Sequence, residues 1–548
     1  MPEFFSPAVS FAPEIYDTAR QDLMGRVVAN RYFLQGLIRH GGLETLHGYL
    51  LLRGIDAEFE QLTRDLDTTM PVRTIQSHRL DQLAELGGLV LTDPNLAAAA
   101  RQRSFVGPRA YALTGVTHTT SEAWIMAMLA DLVTAPVQPW DALVCTSRAV
   151  AVMVDEMLRA EETRLVERLG ATRFSRPLLP VIPLGIDAAR FSPQEEWRAE
   201  WRKRLGIGTE EVAALYVGRL SRVGKAHPLP MLAALGRAAR SQPQPLHLIL
   251  AGWWPYPPEE TIWREQAAVL CPEVQLHVLD GRDKTVQREI WSAADLFTAL
   301  VDNIQETFGL APVEAMAAGL PVVATDWDGF RDTVRHGVDG MLVPTLMAPP
   351  GEGLQAALYY ATKRINYAGL LAEAAQLTAV DIGAAAEAFQ ALAADPALRR
   401  RMGAAGQVRV REAFDWAAVL PQHQALWQEQ QAIRQATPVA RLGSSAPDPR
   451  HMDPTQAFAA WPSGTFCLSQ RLRPAPASAT TDPFSLLCYT QTALPSKLDE
   501  AGIGRLLAEL HRRGEATVGE LLEVLKPTHD IGQQAVLWML RVGLAVAV

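Results

Sequence analysis

The chain alternates two kinds of hydrophobic pattern. Short, nearly continuous apolar runs occur at Leu46–Leu52, Gly88–Leu91, the start of Tyr111–Thr120, Trp140–Ser147, Ala213–Val217, His247–Ala251, Val274–Leu279, Leu296–Leu300 and Pro321–Thr325. Such runs, without the apolar-polar alternation of a half-exposed strand, suit strands covered on both faces of a parallel sheet. Between them lie longer stretches in which apolar residues return at helical spacing, among them Val27–Ile38 (ended by Gly41-Gly42), Gly351–Ala375 and Asp381–Ala394. That spacing predicts helices with one buried face. Strand and helix patterns that take turns predict an α/β architecture. Ahead of the first helix the chain opens on a short Phe-rich stretch.

The alternation stops well before residue 548. From Thr437 to Ser496 the composition shifts to Pro, Ala, Ser and Thr, as in a linker with little core, although Phe458–Trp461 and Phe484–Tyr489 carry aromatic groups able to dock. Ile503–Arg513, Thr517–Leu525 and Ile531–Leu540 then read as three short amphipathic helices before an apolar tail, Val542–Val548, a pattern that suits a small winged-helix-like module. A chain of 548 residues exceeds one hydrophobic core. The expected division is an N-terminal α/β domain over 1–184, a second over 185–434 with a helix crossing back, a linker or docking segment over 435–496, and the module over 497–548.

Charge narrows the function. The whole chain carries 51 Lys+Arg against 60 Asp+Glu, and the stretch 497–548 carries six against seven. Neutralised phosphates supply most nucleic-acid affinity, so the module is expected to contact protein rather than DNA. Cys145, Cys271, Cys467 and Cys488 form no CxxC pair, which fits a reducing cytoplasm. No apolar run approaches the ~20 residues of a spanning helix, and no secretory leader pattern precedes the first domain; peripheral membrane contact stays open.

The chemistry concentrates between Asp295 and Thr345. Leu296–Leu300 predicts a strand, Pro321–Thr325 another, and a helix ended by Gly319 lies between them, which makes a βαβ unit. Glu306 falls in the loop and Glu314 just inside the helix, so two carboxylates frame a helix N-terminus whose free amides suit an anionic group such as phosphate. Upstream, Arg219 and Lys225 stand on one loop after a strand, where two cations can neutralise a diphosphate. His118 sits in a Thr-rich turn after a strand end, the place where α/β folds gather ligands. Gly25 opens the first long helix, and Arg282 follows another strand end. Asp65-Leu-Asp67 matches a metal-binding Asp-x-Asp in letters only, in a helical, charged stretch. Arg399–Arg401 reads as a solvated helix face.

The stretch E-T-F-G-L-A-P-V-E-A-M-A-A-G-L-P-V-V-A-T, with Glu306 and Glu314 eight positions apart, resembles the donor-site motif of retaining GT-B glycosyltransferases of glycosyltransferase family 4. The resemblance extends over about residues 20–434 and implies two Rossmann-like domains facing across a cleft. It implies that Glu306 holds donor-sugar hydroxyls, that Glu314 holds the nucleotide ribose, and that Thr307, Phe308, Gly309 and Leu310 supply the anion-binding turn. It likewise implies a sugar contact for His118, diphosphate contacts for Arg219 and Lys225, a close backbone approach at Gly25, a nucleobase-side place for Arg282, and a hinge at Pro180–Asp187. The family's usual paired glycine is missing at Gly25. The expected activity is transfer of a hexosyl group from a nucleoside-diphosphate sugar to a hydroxyl acceptor, with retention and without cofactor or metal. Acceptor, donor base and donor sugar stay open. A glucan polymerase of the glycogen or starch synthase type, and a non-catalytic GT-B scaffold with a recruiting module, are the alternatives within the fold. A glycoside hydrolase would need two carboxylates about one scissile bond and no phosphate site.

Overall fold

A computed structural model of the protein describes residues 6–17, 25–66, 69–438, 448–476, 500–525 and 529–548. The chain divides into two compact units, Met1–Asp448 and Pro449–Val548.

The first unit holds two parallel six-stranded sheets. One is built from β1 (Ala8–Phe11), β2 (Leu46–Leu50), β3 (Val72–Gln76), β4 (Gly88–Val90), β5 (Ala112–Val116) and β6 (Ala142–Val144), in the order β3-β2-β1-β4-β5-β6. The other uses β7 (Val212–Val217), β8 (Leu246–Gly252), β9 (Val274–Asp280), β10 (Leu296–Ala299), β11 (Val322–Thr325) and β12 (Gly340–Val343), in the order β12-β11-β10-β7-β8-β9. Counted from its own first strand, each sheet has the doubly wound order 3-2-1-4-5-6, which places a topological switch point between β1 and β4 and another between β7 and β10. Both faces of each sheet are covered, by the clusters around Leu113 and Phe59 in the first and around Phe297 and Leu248 in the second. The Phe-rich opening, given no element by its pattern, forms the buried central strand β1: its Ala-Val-Ser-Phe run is too short and its buried Ser10 too polar to register as apolar. The edge strands β3 and β12 also escaped the pattern, because only one of the five positions of β3 and two of the four of β12 are buried.

The helices that matter for the site are α1 (Gly25–His40), α2 (Ala123–Asp131), α3 (Arg148–Leu169) and α4 (Leu310–Ala317). After β12 come a two-stranded sheet of β13 (Thr345–Met347) and β14 (Thr378–Val380), and within it the helices α5 (Leu354–Ala361) and α6 (Tyr367–Gln376). The single helix expected over Gly351–Ala375 is therefore two. Lys363 takes a left-handed φ of 59°, which breaks the first, and Asn366 caps the second by accepting from the Gly369 amide at 2.9 Å. α7 (Ile382–Ala394) returns to the sheet, and α8 (Trp416–Ala436) runs back to the first sheet. There Gln430 donates to the carbonyls of Leu113 and Trp140, both at 2.8 Å, and accepts from Thr114 at 2.8 Å.

The two sheets are joined by two chain crossings that run side by side: the Ile186 amide donates to the Phe414 carbonyl at 2.8 Å, and the Trp416 amide to the Ile186 carbonyl at 3.1 Å. The Trp416 indole fills the junction, 3 % exposed, against Gly36 of α1 and Gly185 of the first crossing. A methyl group at Gly36 would stand 2.4 Å from the ring, and one at Gly185 2.5 Å. A second fixed point lies beneath the first sheet, where the fully buried Arg103 and Asp141 pair at 2.6 Å and Asp141 also accepts from the Leu113 and Gln138 amides. Those extra bonds offset the desolvation that a bare buried pair would suffer.

The second unit contains β15 (Arg471–Pro474), α9 (Glu500–Arg513), β16 (Ala516–Thr517), α10 (Val518–Leu522), α11 (His529–Arg541) and β17 (Ala545–Ala547). Three helices and a small antiparallel sheet in the order β16-β15-β17 enclose a core around Leu472, Leu506, Leu521 and Met539. Thr517 and Glu520 form a capping box at the start of α10. The stretch expected to be linker thus supplies the middle strand of the module's sheet, and the apolar tail supplies an edge strand. The first unit also runs on past 434, to Asp448. Phe458 and Trp461 are exposed with ring centroids 4.6 Å apart; Met24, Asp67, Phe484–Tyr489 and Cys488 lie outside the described residues. No described helix is long and apolar enough to cross a membrane.

In an exposed helix, Gly→Ala stabilises by up to about 1 kcal/mol, but overpacking costs about 1–3 kcal/mol. Gly36→Ala is therefore expected to lower the urea midpoint of the full chain, and the added change Trp416→Ala to abolish that specific penalty, since the ring is what the methyl strikes. Additive losses in the two-site variant would show that the crowding lies elsewhere.

Candidate functional site

The switch point of the second sheet brings the charged residues together. Lys225 lies on the loop after β7 and Glu306 on the loop after β10, the two strands at the middle of that sheet. The Lys225 ammonium meets the Glu306 carboxylate at 2.5 Å, with the glutamate side chain only 14 % exposed. Burial pushes the Glu306 carboxyl up, but Lys225 and the amides of Thr307 and Phe308 outweigh it and hold the group below the usual carboxylate range. Arg219 shares the loop with Lys225 and donates to the Gly224 carbonyl at 3.3 Å.

Asn303, which the sequence pattern did not single out, sets the spacing of these two loops. It is buried, donates to the Lys225 carbonyl at 2.8 Å and to the Val223 carbonyl at 3.3 Å, and accepts from the Gln305 amide at 2.9 Å. Its place in the loop after the strand, three residues before Glu306, was the available signal. Neighbouring Asp302, also buried, is pushed up to about 6 by burial.

Past Glu306 the chain turns into α4. Gly309 precedes the helix at φ 87°, and a side chain there would meet Phe330 at 2.1 Å, so only glycine serves. Leu310 begins the helix. Phe308 is buried and packs its ring 6.0 Å from that of Phe414, so only its backbone faces the site. The Thr307 hydroxyl donates to the His118 carbonyl at 2.5 Å, which ties this turn to the loop after β5. Glu314, in the first turns of α4, is pushed up to about 7 by burial, against the pull of Arg190 and Lys225. The Tyr32 hydroxyl of α1 donates to it at 3.5 Å, and the Arg190 guanidinium stands 5.4 Å above the Tyr32 ring.

His118 faces the same turn from the first sheet. Its Nε2 lies 3.0 Å from Asn30 Oδ1 and 3.1 Å from the Thr92 carbonyl. Both are acceptors, since the Asn30 amide nitrogen is directed to the Ile15 carbonyl, so Nε2 carries the proton and Nδ1 is left as an acceptor. Burial lowers the imidazole to about 4, which keeps it neutral at ordinary pH. His118 belongs to the lining of a largely apolar hollow with Phe33, Ile182, Trp416 and His423.

A further carboxylate, Asp328, enters from the loop after β11 at a left-handed φ of 41° and accepts from the Ser147 hydroxyl at 3.0 Å. Burial pushes it up to about 7. Nothing in the sequence pattern marks it, because a single Asp in a turn is ordinary. Two further expected positions show no bond to the residues above. Arg282 is half exposed and paired with Asp280 at 2.9 Å, and Gly25 is the exposed first residue of α1, where a side chain would meet no protein atom within 4 Å. Asp65 lies in a helix and accepts from Gln61 at 2.8 Å.

Comparison with known proteins fits this arrangement. D-inositol 3-phosphate glycosyltransferase of Nocardia farcinica is 33% identical over 190 residues, 34% of this chain and 40% of that protein. Alpha-maltose-1-phosphate synthase of Mycobacterium tuberculosis is 29% identical over 250 residues, 45% of this chain and 55% of that protein. The chain thus spans about 40% of the length of the first of these curated relatives. The crystal structure of Anabaena HepE in complex with UDP superposes with a TM-score of 0.50 at 16% identity, over 77% of this chain and 98% of that one, a likeness of fold. The architecture is GT-B, and residues 198–348, which include Arg219, Lys225, Glu306 and Glu314, match the family model described as Glycosyl transferases group 1.

Proposed function

We propose that this chain is a retaining glycosyltransferase that moves a hexosyl group from a nucleoside-diphosphate sugar to a hydroxyl acceptor without a bound metal. The observation that carries the reading is the 2.5 Å contact of Lys225 with Glu306 at the switch point, beside Arg219 and the start of α4. An ammonium has three N–H donors, so a lysine that uses one on Glu306 keeps others for diphosphate oxygens. As the anomeric bond to the diphosphate lengthens, negative charge grows on the leaving group, and Arg219, Lys225 and the amides at Gly309 and Leu310 are already fixed to meet it. That charge stabilisation is what a metal would otherwise supply.

The remaining roles follow from proton positions. A carboxylate held by an ammonium and two amides is a weak nucleophile, so Glu306 is assigned to sugar hydroxyls rather than to a covalent intermediate. The neutral His118 offers an unprotonated Nδ1 as a hydroxyl acceptor. Retention without a covalent intermediate then has the acceptor approach on the face that the diphosphate leaves, with a diphosphate oxygen taking its proton. Glu314 is assigned to the ribose, with the Tyr32 hydroxyl donating to it at 3.5 Å.

The direct test is release of nucleoside diphosphate from a panel of UDP-, GDP- and ADP-sugars, read with and without simple saccharide acceptors; no turnover and no binding across the panel would sink the reading. Within it, Lys225→Met should lower turnover by about 10²–10³-fold while donor affinity changes far less, because the lysine meets charge that develops late. Equal losses in both would move Lys225 from the leaving group to ground-state binding. Turnover should also persist in excess EDTA; abolition by the chelator and rescue by magnesium or manganese would overturn the metal-free assignment.

The pH dependence is set by Glu314. With its carboxyl near 7, the group is mostly protonated at pH 6 and ionised at pH 8, and only the ionised form accepts two ribose hydroxyls. Affinity for an intact nucleotide sugar, which does not itself titrate in this range, should therefore weaken about tenfold per unit below pH 7 and level off above it. Calorimetric titration at several pH values checks this, and Glu314→Gln should flatten the profile.

A further inference from the structure

The segment between β12 and α7 is built unlike its surroundings. β13 and β14 pair antiparallel through Thr345↔Val380, Leu346↔Ala379 and Met347↔Thr378, and form a neck. Beyond it α5 and α6 fold against each other, with Ala356, Leu371 and Ala374 as their buried residues. So small a core leaves the hairpin standing off the second sheet, and its far side reaches the first.

The Tyr367 hydroxyl lies 2.7 Å from the Ser121 hydroxyl. Tyr360, whose ring centroid is 6.4 Å from that of Tyr367, accepts at its hydroxyl from the Ala123 amide at 3.3 Å. Ala123 is the first residue of α2, and the residue before it, Glu122, makes no side-chain cap. A helix start leaves amides without partners, and here a tyrosine from the other half of the unit fills one such place. Ser121 and Ala123 belong to the stretch that begins directly after His118. The His118 carbonyl is itself held by Thr307. Bonds from the second half thus grip this loop on both sides of the cleft floor, at the donor turn and at the hairpin.

We propose that the hairpin Thr345–Val380 is a clamp across the cleft, and that Tyr367 and Tyr360 are positioning residues that fix the loop bearing His118 opposite the donor turn. The proposal rests on the glycosyltransferase reading for its consequence, though not for its geometry. Two hydrogen bonds of ordinary strength are enough to hold a short loop in one of two arrangements.

The test uses the full chain with Tyr367→Phe, Tyr360→Phe, the two together, and Tyr359→Phe as a control. Tyr359 lies on the same helix, and its hydroxyl accepts from Gln355 within the hairpin at 2.8 Å. Amide hydrogen exchange over residues 117–126 should become about tenfold faster in the double variant and stay unchanged in the control. With UDP-glucose as the probe donor, and GDP-mannose and ADP-glucose as further arms, kcat should fall about tenfold while KM stays within about twofold. Ser121→Ala should reproduce Tyr367→Phe, and the pair combined should be no worse than either alone. Unchanged exchange overturns the clamp, and faster exchange with unchanged kcat overturns the positioning role. If the unaltered chain turns over no nucleotide sugar while exchange still responds, the glycosyltransferase reading falls and takes the positioning role with it, leaving only a joint between the two halves.

Discussion

Glu306 is a charge taken almost out of water, and the geometry of the cleft follows from the need to compensate it. A buried carboxylate without partners would protonate, and the Lys225 ammonium beside it keeps Glu306 ionised. For the pair to meet, the loops after β7 and β10 must run side by side, which requires those strands to be neighbours. The sheet order provides that, and Asn303 fixes the separation by bonding to the backbone of both loops. The site is therefore a property of topology first and of side chains second.

The first sheet repeats the same strand order yet takes a different part. Its contribution reaches the cleft through the loop after β5, where burial keeps His118 neutral and Asn30 and Thr92 orient it. The N-terminus of α3 is met from the second half as well: Ser147 bonds to Asp328, and the Arg148 amide donates to Asp332 at 2.6 Å. Carboxylates at a helix start are favoured by the unpaired amides and the dipole there, so this contact joins the halves by electrostatics as well as by fit. Both groups of contacts are polar and lie at the edge of the cleft, whereas the apolar contact around Trp416 lies at the crossings. Such a division suits a pair of bodies that share one tight pivot and several breakable ties.

Much of this was legible in the chain because its cause is local. The buried strands announce themselves by apolar runs, and the helix start at Leu310 by Gly309 and Pro312. Glu306, Glu314, Arg219 and Lys225 stood out because strand ends and helix starts give a charged residue a reason to be there. What escaped has causes that are not local. β1 is short and includes a serine, and its identity as the central strand depends on neighbours that lie far along the chain. Asp328 and Tyr32 take their surroundings from elements remote in sequence, so neither position carries a signal of its own. The break between α5 and α6 depends on a lysine in a left-handed conformation, which sequence patterns do not foretell. Residues 471–474 were hidden by composition, since a strand with one buried leucine in a Pro-rich context reads as linker.

That strand has a consequence for how the second unit assembles. β15 is the middle strand of its sheet, yet it precedes all three helices in the chain, and its partners β16 and β17 follow more than forty and more than seventy residues later. During synthesis the centre of the sheet emerges first and is paired on both sides only after the last strand has left the ribosome. The unit's contacts are thus long-range in sequence for so small a body, and closure of long loops before any pairing is what slows folding. Its helices are free to form early, while the sheet can close only as a final step, with the unpaired edges of β15 exposed to other chains in the interval.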